Sequence, residues 1–180
     1  MRVAIISDIH DNVWNLRSVL EAVKDADALV CCGDLCAPFI VARIAEGFAN
    51  RPIHIVFGNN DGDMYRITQA ALQFPHVHLH GELYCGELGD RTVIATHYDT
   101  VAGVLDPLEA DLICYGHDHQ HTIDSRENCW ILNPGAVMGY TPVGSREVPV
   151  SYAIYDTELH HADIWQIGIG NRCAGDPSPL

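Results

Sequence analysis

The chain has 180 residues, 48% of them apolar and 19% charged, with a formal net charge of −14. That is long enough to bury a sizeable core as one domain, and too acidic to offer a surface to nucleic acid or an anionic membrane. No run of about 18 apolar residues could cross a bilayer, and the N-terminus lacks the basic segment and cleavage site of a secretory signal.

The first element sets the theme. Val3-Ala4-Ile5-Ile6 is an apolar run that stops at Ser7-Asp8-Ile9-His10. A buried strand ending so abruptly places a carboxylate and an imidazole at its C-terminal edge, where α/β proteins bind ligands. After Asp11, Asn12 is a plausible N-cap for a helix with Val13, Leu16, Leu20 and Val23 on one face. Residues 28–32 read as a second buried strand ending in Gly33-Asp34, and residues 38–49 carry a helical apolar face. Residues 53–57 form a third strand, closed by Gly58-Asn59-Asn60-Asp61. Three successive βα units imply a largely parallel sheet with right-handed crossovers.

Residues 64–73 suggest a short helix opened by Asp63, and 82–88 with 91–96 a hairpin turned at Gly89-Asp90. The second hairpin strand runs into His97. Residues 111–115 are another buried strand, ending in Gly116-His117-Asp118-His119. Strand-like runs follow at 122–125, 129–133, 151–156 and 159–167. Asn133-Pro134-Gly135 reads as a turn, 139–149 as a Gly/Pro-containing loop, and 170–180 as a disordered tail after a single domain over 1–169. The seven cysteines are an odd number, and Cys31, Cys32 and Cys114 sit inside apolar runs. That is core usage in a reducing compartment, so the cytoplasm is the expected location.

Five strand ends thus carry polar groups: Asp8 with His10, Asp34, Asn59, His97, and His117 with His119. Taken singly, Gly-Asp and Gly-Asn-Asn-Asp are turn sequences, and one histidine is as readily a core residue as a ligand. Their common placement directly after apolar strands is what favours metal binding. Imidazole and carboxylate suit first-row divalent ions, and an amide oxygen suits a hard or borderline one. Seven donors exceed one tetrahedral site but fit two octahedral sites sharing a carboxylate, the arrangement used for in-line displacement at phosphorus.

In that order, Asp8-x-His10, Gly33-Asp34, Gly58-Asn59-x-Asp61, His97 and Gly116-His117-x-His119 resemble the calcineurin-like metallophosphoesterase pattern, in its small bacterial and archaeal phosphodiesterase branch. The resemblance spans roughly residues 1–165. It implies a four-layer α/β/β/α sandwich, two mixed sheets flanked by helices, with two divalent ions at the strand ends. One ion would take Asp8, His10, Asp34 and His119, and the other Asp34, Asn59, His97 and His117, with Asp34 as the bridge. The expected activity is phosphodiester hydrolysis of a small molecule by metal-bound hydroxide, with Asn60 and Asp61 as catalytic residues and Asn12 and Asn60 contacting the substrate. Mn²⁺ is the first choice of ion, with Fe, Zn, Ni and Mg open. A homo-oligomer is compatible with the branch.

The chain departs from the family pattern at three places. Asn60 stands where phosphatase-like members have His, and an amide cannot serve as a general acid; this disfavours monoesters with poor leaving groups. The family's His-Gly-His reads His97-Tyr98-Asp99, and Asp11 replaces a small residue, so the rim is expected to be acidic. Alternatives are a phosphomonoesterase or nucleotidase, and a non-catalytic scaffold like the retromer subunit that shares this fold. His76, His78 and His80 alternate along one strand, either as a solvated face or as a further metal site. His121 reads as an exposed side chain or an outer proton donor, and Cys36 as a packed loop thiol.

Overall fold

The structure, a computed structural model, describes residues 1–168 and the backbone of Ser178–Pro179. In chain order the elements are β1 (Arg2–Ile6), α1 (Val13–Ala22), β2 (Ala28–Cys31), α2 (Phe39–Gly47), β3 (Ile53–Ile55), α3 (Met64–Ala71) and β4 (Val77–Leu79). They continue with β5 (Leu83–Leu88), β6 (Arg91–Thr96), α4 (Asp99–Ala102), β7 (Leu112–Cys114), β8 (Thr122–Arg126) and β9 (Cys129–Asn133). The last are β10 (Tyr140–Thr141), β11 (Arg146–Glu147), β12 (Ser151–Asp156), β13 (His161–Gln166) and β14 (Ser178–Pro179). Apart from β14, the expected disordered tail lies outside the described residues.

Two mixed sheets face each other. One runs β14-β13-β12-β1-β2-β3-β4, with β1 to β4 parallel and β12 and β13 antiparallel; the other runs β5-β6-β7-β9-β8, with β6, β7 and β9 parallel. Strand alternation sorts the side chains into layers. Ala4, Ile6, Leu29, Cys31, Ile53 and Ile55 meet Leu16, Ile40, Ile44 and Ile67 of the three long helices. Val3, Ile5, Ala28 and Val30 point the other way, onto Val93, Ala95, Leu112, Cys114 and Leu132 of the second sheet. On that sheet's far side Ile94, Ile113 and Cys129 pack against Ala102 of α4. The order is therefore helices, sheet, sheet, helix, the α/β/β/α arrangement expected. β1 and β2 are buried on both faces, which is why they read as unbroken apolar runs.

Both proposed helix caps are in place: Asn12 Oδ1 accepts from Asn15 N at 3.1 Å, and Asp63 Oδ1 from Arg66 N at 3.1 Å. Two features differ from expectation. The 139–149 loop contains a small ribbon, with Tyr140 opposite Glu147 and Thr141 opposite Arg146. The helix α4 follows His97 within a segment whose few residues carry no helical period. The two sheets are sewn together at the strand ends, where Val137 N donates to Ser7 O at 3.0 Å and Met138 N to Asp8 O at 2.9 Å.

Candidate metal centre

All seven candidate donors converge at that sewn edge. Asp8 and His10 follow β1, Asp34 follows β2, Asn59 follows β3, His97 follows β6, and His117 and His119 follow β7. The loops are sharply bent: Asp8, His10, Asp34, His117 and His119 all have φ between 44° and 80°. Non-glycine residues in this left-handed region carry backbone strain, which concentrates at functional sites. Glycines let the loops come this close. A Cβ on Gly58 would lie 2.2 Å from Asp34 Oδ1, and one on Gly116 would lie 2.0 Å from Ser7 Oγ and 2.7 Å from Asp8 Oδ2.

The donors fall into two groups that meet at Asp34. Ligand atoms of Asp8, His10, Asp34 and His119 lie within 4.8 Å of one another. On the other side, Asn59 Oδ1 is 3.0 Å from both His97 Nε2 and His117 Nδ1, and Asp34 Oδ2 is 3.4 Å from His97 Nε2. The same Asp34 oxygen is 3.3 Å from His10 Nε2.

The histidine tautomers are set from behind. His119 Nδ1 lies 2.6 Å from Tyr140 O and His97 Nδ1 2.8 Å from Cys32 O. A carbonyl only accepts, so each Nδ1 bears the proton and each Nε2 turns a lone pair inward, the arrangement of metal-ligating histidines. His119 Nε2 then faces Asp8 Oδ1 at 3.2 Å and His10 Nε2 at 3.2 Å. The close approach to Asp8 Oδ1 lacks hydrogen-bond geometry, and that buried oxygen has no hydrogen-bond partner. Lone pairs crowded together out of water repel unless a proton or a metal ion lies among them.

The electrostatics follow. Burial works against charge on His10, but the Asp34 and Asp8 carboxylates outweigh it and raise its pKa to about 9. His119 is raised in the same way, burial being outweighed chiefly by Asp8. Burial raises the carboxyls of Asp8 and Asp34, yet the facing imidazoles bring both below the usual range, His10 and His119 at Asp8 and His10 with Asn60 at Asp34.

Of the other candidates, Asn60 lies at the site: its N and Nδ2 both donate to Asp34, each at 2.8 Å. Asp61 points away from the opening. It is 3% exposed, and its oxygens accept from Asp34 N (3.0 Å), Gly58 N (2.7 Å) and Cys36 N (2.8 Å). Asn12 is engaged on both ends of its amide, with Nδ2 donating to Met138 O at 3.1 Å. Tyr98 stands beside the His97 and His117 rings, 5.3 Å and 5.8 Å between centroids. Of the carboxylates expected at the rim, Asp11 accepts from Ala37 N, and Asp118 from Asn133 Nδ2 and Gln120 N. His121 is partly exposed and lines a shallow cleft with Arg146 and Glu147. Cys36 Sγ lies 3.4 Å from His10 Nδ1. Sequence reasoning missed the Cys32 and Tyr140 carbonyls, since backbone acceptors leave no residue-type signal.

Two facing mixed sheets with a buried Asp/His cluster at their strand ends define a metallophosphoesterase. The family model described as "Calcineurin-like phosphoesterase superfamily domain" matches residues 1–160, and the chain belongs to that superfamily. It is similar to a phosphodiesterase of Methanocaldococcus jannaschii, 25% identical over 145 residues, which cover 78% of this chain and 86% of that protein. Its fold matches a solved archaeal phosphodiesterase with a TM-score of 0.77 at 22% identity, over 100% of both chains. It also matches vacuolar protein sorting 29 of Cryptosporidium parvum with a TM-score of 0.68 at 18% identity, over 99% and 95% of the two chains. Among the described residues no helix is long and apolar enough to cross a membrane.

Proposed function

We propose that the chain is a phosphodiesterase working through two divalent ions, with Mn²⁺ as the first choice. Asp8, His10, Asp34 and His119 would hold one ion and Asp34, Asn59, His97 and His117 the other. The observation that carries this reading is the unpartnered, buried Asp8 Oδ1 facing inward-turned imidazole lone pairs. The donor set of imidazole, carboxylate and amide oxygen is the chemistry of such ions. Bound divalent ions supply Lewis acidity, offsetting charge on phosphoryl oxygens and lowering the pKa of a coordinated water.

The chain's own residues orient this chemistry. Cys32 and Tyr140 carbonyls hold the rings of His97 and His119. Asn60 holds Asp34 with one amide hydrogen and has another with which to meet a phosphoryl oxygen. No proton donor stands in its place, which favours diesters with good leaving groups over monoesters. Asp61 we reassign from a catalytic to a positioning role, and Asn12 from substrate contact to a clamp joining α1 to the 138 loop. The inter-sheet core supports residues 1–169 acting as one unit.

The test is hydrolysis of bis-p-nitrophenyl phosphate beside p-nitrophenyl phosphate, after chelation and return of Mn²⁺, Ni²⁺, Zn²⁺ or Mg²⁺, with Asp34→Ala as the blank. Diester cleavage that requires added ion and vanishes in the variant is the expected result. Faster monoester cleavage would overturn the use made of Asn60, and bound metal without turnover would favour a scaffold.

A further inference from the structure

Away from the metal centre, imidazoles gather where β4, an edge of one sheet, approaches β5, an edge of the other. Ile53 and Ile55 point to the helices, so His54 between them projects from the opposite face of β3. There it meets His78 of β4, His80 just beyond it, and the ring of Tyr84 from β5. His54 Nδ1 lies 3.0 Å from His80 Nε2. Two imidazoles bound side by side on one ion, with bonds of about 2.0–2.1 Å, hold their nitrogens roughly 3 Å apart. Ring centroids are 5.1 Å apart for His54–His80 and 5.3 Å for His54–His78. The histidine pairs within the Asp/His centre stand at 5.0 Å and 5.1 Å.

We propose that His54, His80 and His78 form a separate site for a borderline divalent ion of the zinc, nickel or copper class. An all-imidazole donor set selects these ions over Mg²⁺, Ca²⁺ or Mn²⁺, which prefer oxygen. His54 Nδ1 and His80 Nε2 share one N–H···N hydrogen bond; on binding, the donor ring shifts that proton to its other nitrogen, and both facing nitrogens turn lone pairs to the ion. His78 is exposed, with its ring 6.5 Å from that of His80, and turns inward to become the third ligand. Both inner rings are neutral, so neither must lose a proton to solvent before it binds: burial and the facing His80 and His78 bring His54 down to about 4, and burial with His78 lowers His80. The Tyr84 ring, 4.6 Å and 4.5 Å from the two, walls the site on its inner side. His76 takes no part, its Nε2 lying 3.1 Å from Ala45 O.

The site has a structural consequence. Gly81, next to His80, accepts from Phe57 N at 2.7 Å. The turn bearing His80 is therefore bonded to the segment leading into Gly58 and Asn59, and an ion at the histidines ties β3, β4 and that exit together. This inference does not depend on the reaction assigned to the Asp/His centre.

The test strips the full chain of metal, disables the first centre with Asp8→Ala and Asp34→Ala, and titrates Zn²⁺ by calorimetry while following the melting temperature. One equivalent should bind with at least micromolar affinity and raise the melting temperature. Adding His54→Gln and His80→Gln should remove both effects, and His78→Gln alone should weaken binding by about tenfold. Should the aspartate variant fail to fold, the otherwise unaltered chain is used, and His54→Gln with His80→Gln must lower its Zn²⁺ stoichiometry by one equivalent. Binding that is unchanged by the histidine substitutions, or only millimolar, overturns the proposal.

Discussion

Asp61 offers the sharpest separation between a chemical and an architectural role. Its Oδ2 takes the N–H groups of Asp34 and Gly58, and its Oδ1 takes that of Cys36. In Asp61→Ala three donors lose their acceptor. Each buried unsatisfied donor costs about 1–3 kcal/mol. Asp34 is buried whereas Gly58 and Cys36 are half-buried and reachable by water, so the low end applies to two of them and the total is about 3–5 kcal/mol. Asp61→Asn keeps one oxygen for Asp34 and Gly58 but turns its NH₂ toward the Cys36 N–H, donor against donor, for about 1–2 kcal/mol. With a urea m-value of about 2 kcal/mol/M, the unfolding midpoint of the metal-free protein should fall by about 1.5–2.5 M for Ala and about 0.5–1 M for Asn. Metal affinity should fall in the same order, because the loop that carries Asp34 is what these bonds hold. A proton-transfer role predicts the opposite pattern for Asp61→Asn: unchanged midpoint and metal affinity, with kcat alone collapsing. That result would refute the positioning argument.

Other outcomes follow from the same geometry. Gly116→Ala places a methyl 2.0 Å from Ser7 Oγ and 2.7 Å from Asp8 Oδ2, so it should cut metal affinity at least tenfold by calorimetry while far-UV circular dichroism stays unchanged. Asn60→Ala removes the 2.8 Å hydrogen bond to Asp34 Oδ2 and should lower kcat/KM for the diester about tenfold, one charge-assisted hydrogen bond's worth. Asn60→His should raise monoester activity relative to diester. In the metal-free chain the His10 pKa is raised from 6.5 to about 9. A raised imidazole contributes stability that is complete below pH 6.5 and lost as pH climbs toward 9. Denaturant midpoints of the stripped protein should therefore decline across that window, and metal uptake at neutral pH should release protons.

How far the chain could be read without coordinates depended on how local each signal was. The strand ends were legible because β1 and β2 are buried on both faces, giving apolar runs whose interruption by Asp8 or Asp34 stands out. The caps Asn12 and Asp63 were legible for the same local reason. The orientation of Asp61 was not, since an aspartate in Gly-Asn-Asn-Asp looks the same whether its carboxylate faces a substrate or three backbone amides. Nor was the pairing of Tyr140 with Glu147, which needs a ladder of only two residues. His76, His78 and His80 were grouped by strand period. The strand is only Val77–Leu79, and His76, just before it, turns its ring to Ala45, while His54 of the neighbouring strand takes its place beside His80.

The strain at the strand ends and the charge between them belong to one argument. Five left-handed candidate ligands are costly for the folded chain, and a buried carboxylate oxygen facing imidazole lone pairs adds to that cost. Protons can relieve the second cost, which is why His10 and His119 are raised. They do so only by leaving the site as imidazolium–carboxylate pairs, in which a nitrogen lone pair is no longer available to anything else. Divalent ions relieve it while keeping every lone pair directed inward, and they add positive charge where an anionic ester must approach a chain of net charge −14. Proton and ion thus compete for the same space, so the metal-loaded protein should lose its ions on acidification before its sheets unfold. Monitoring metal release with a chromogenic chelator beside circular dichroism across a pH titration distinguishes the two steps. Unfolding that precedes or coincides with release would mean that the ions hold the fold together rather than the site.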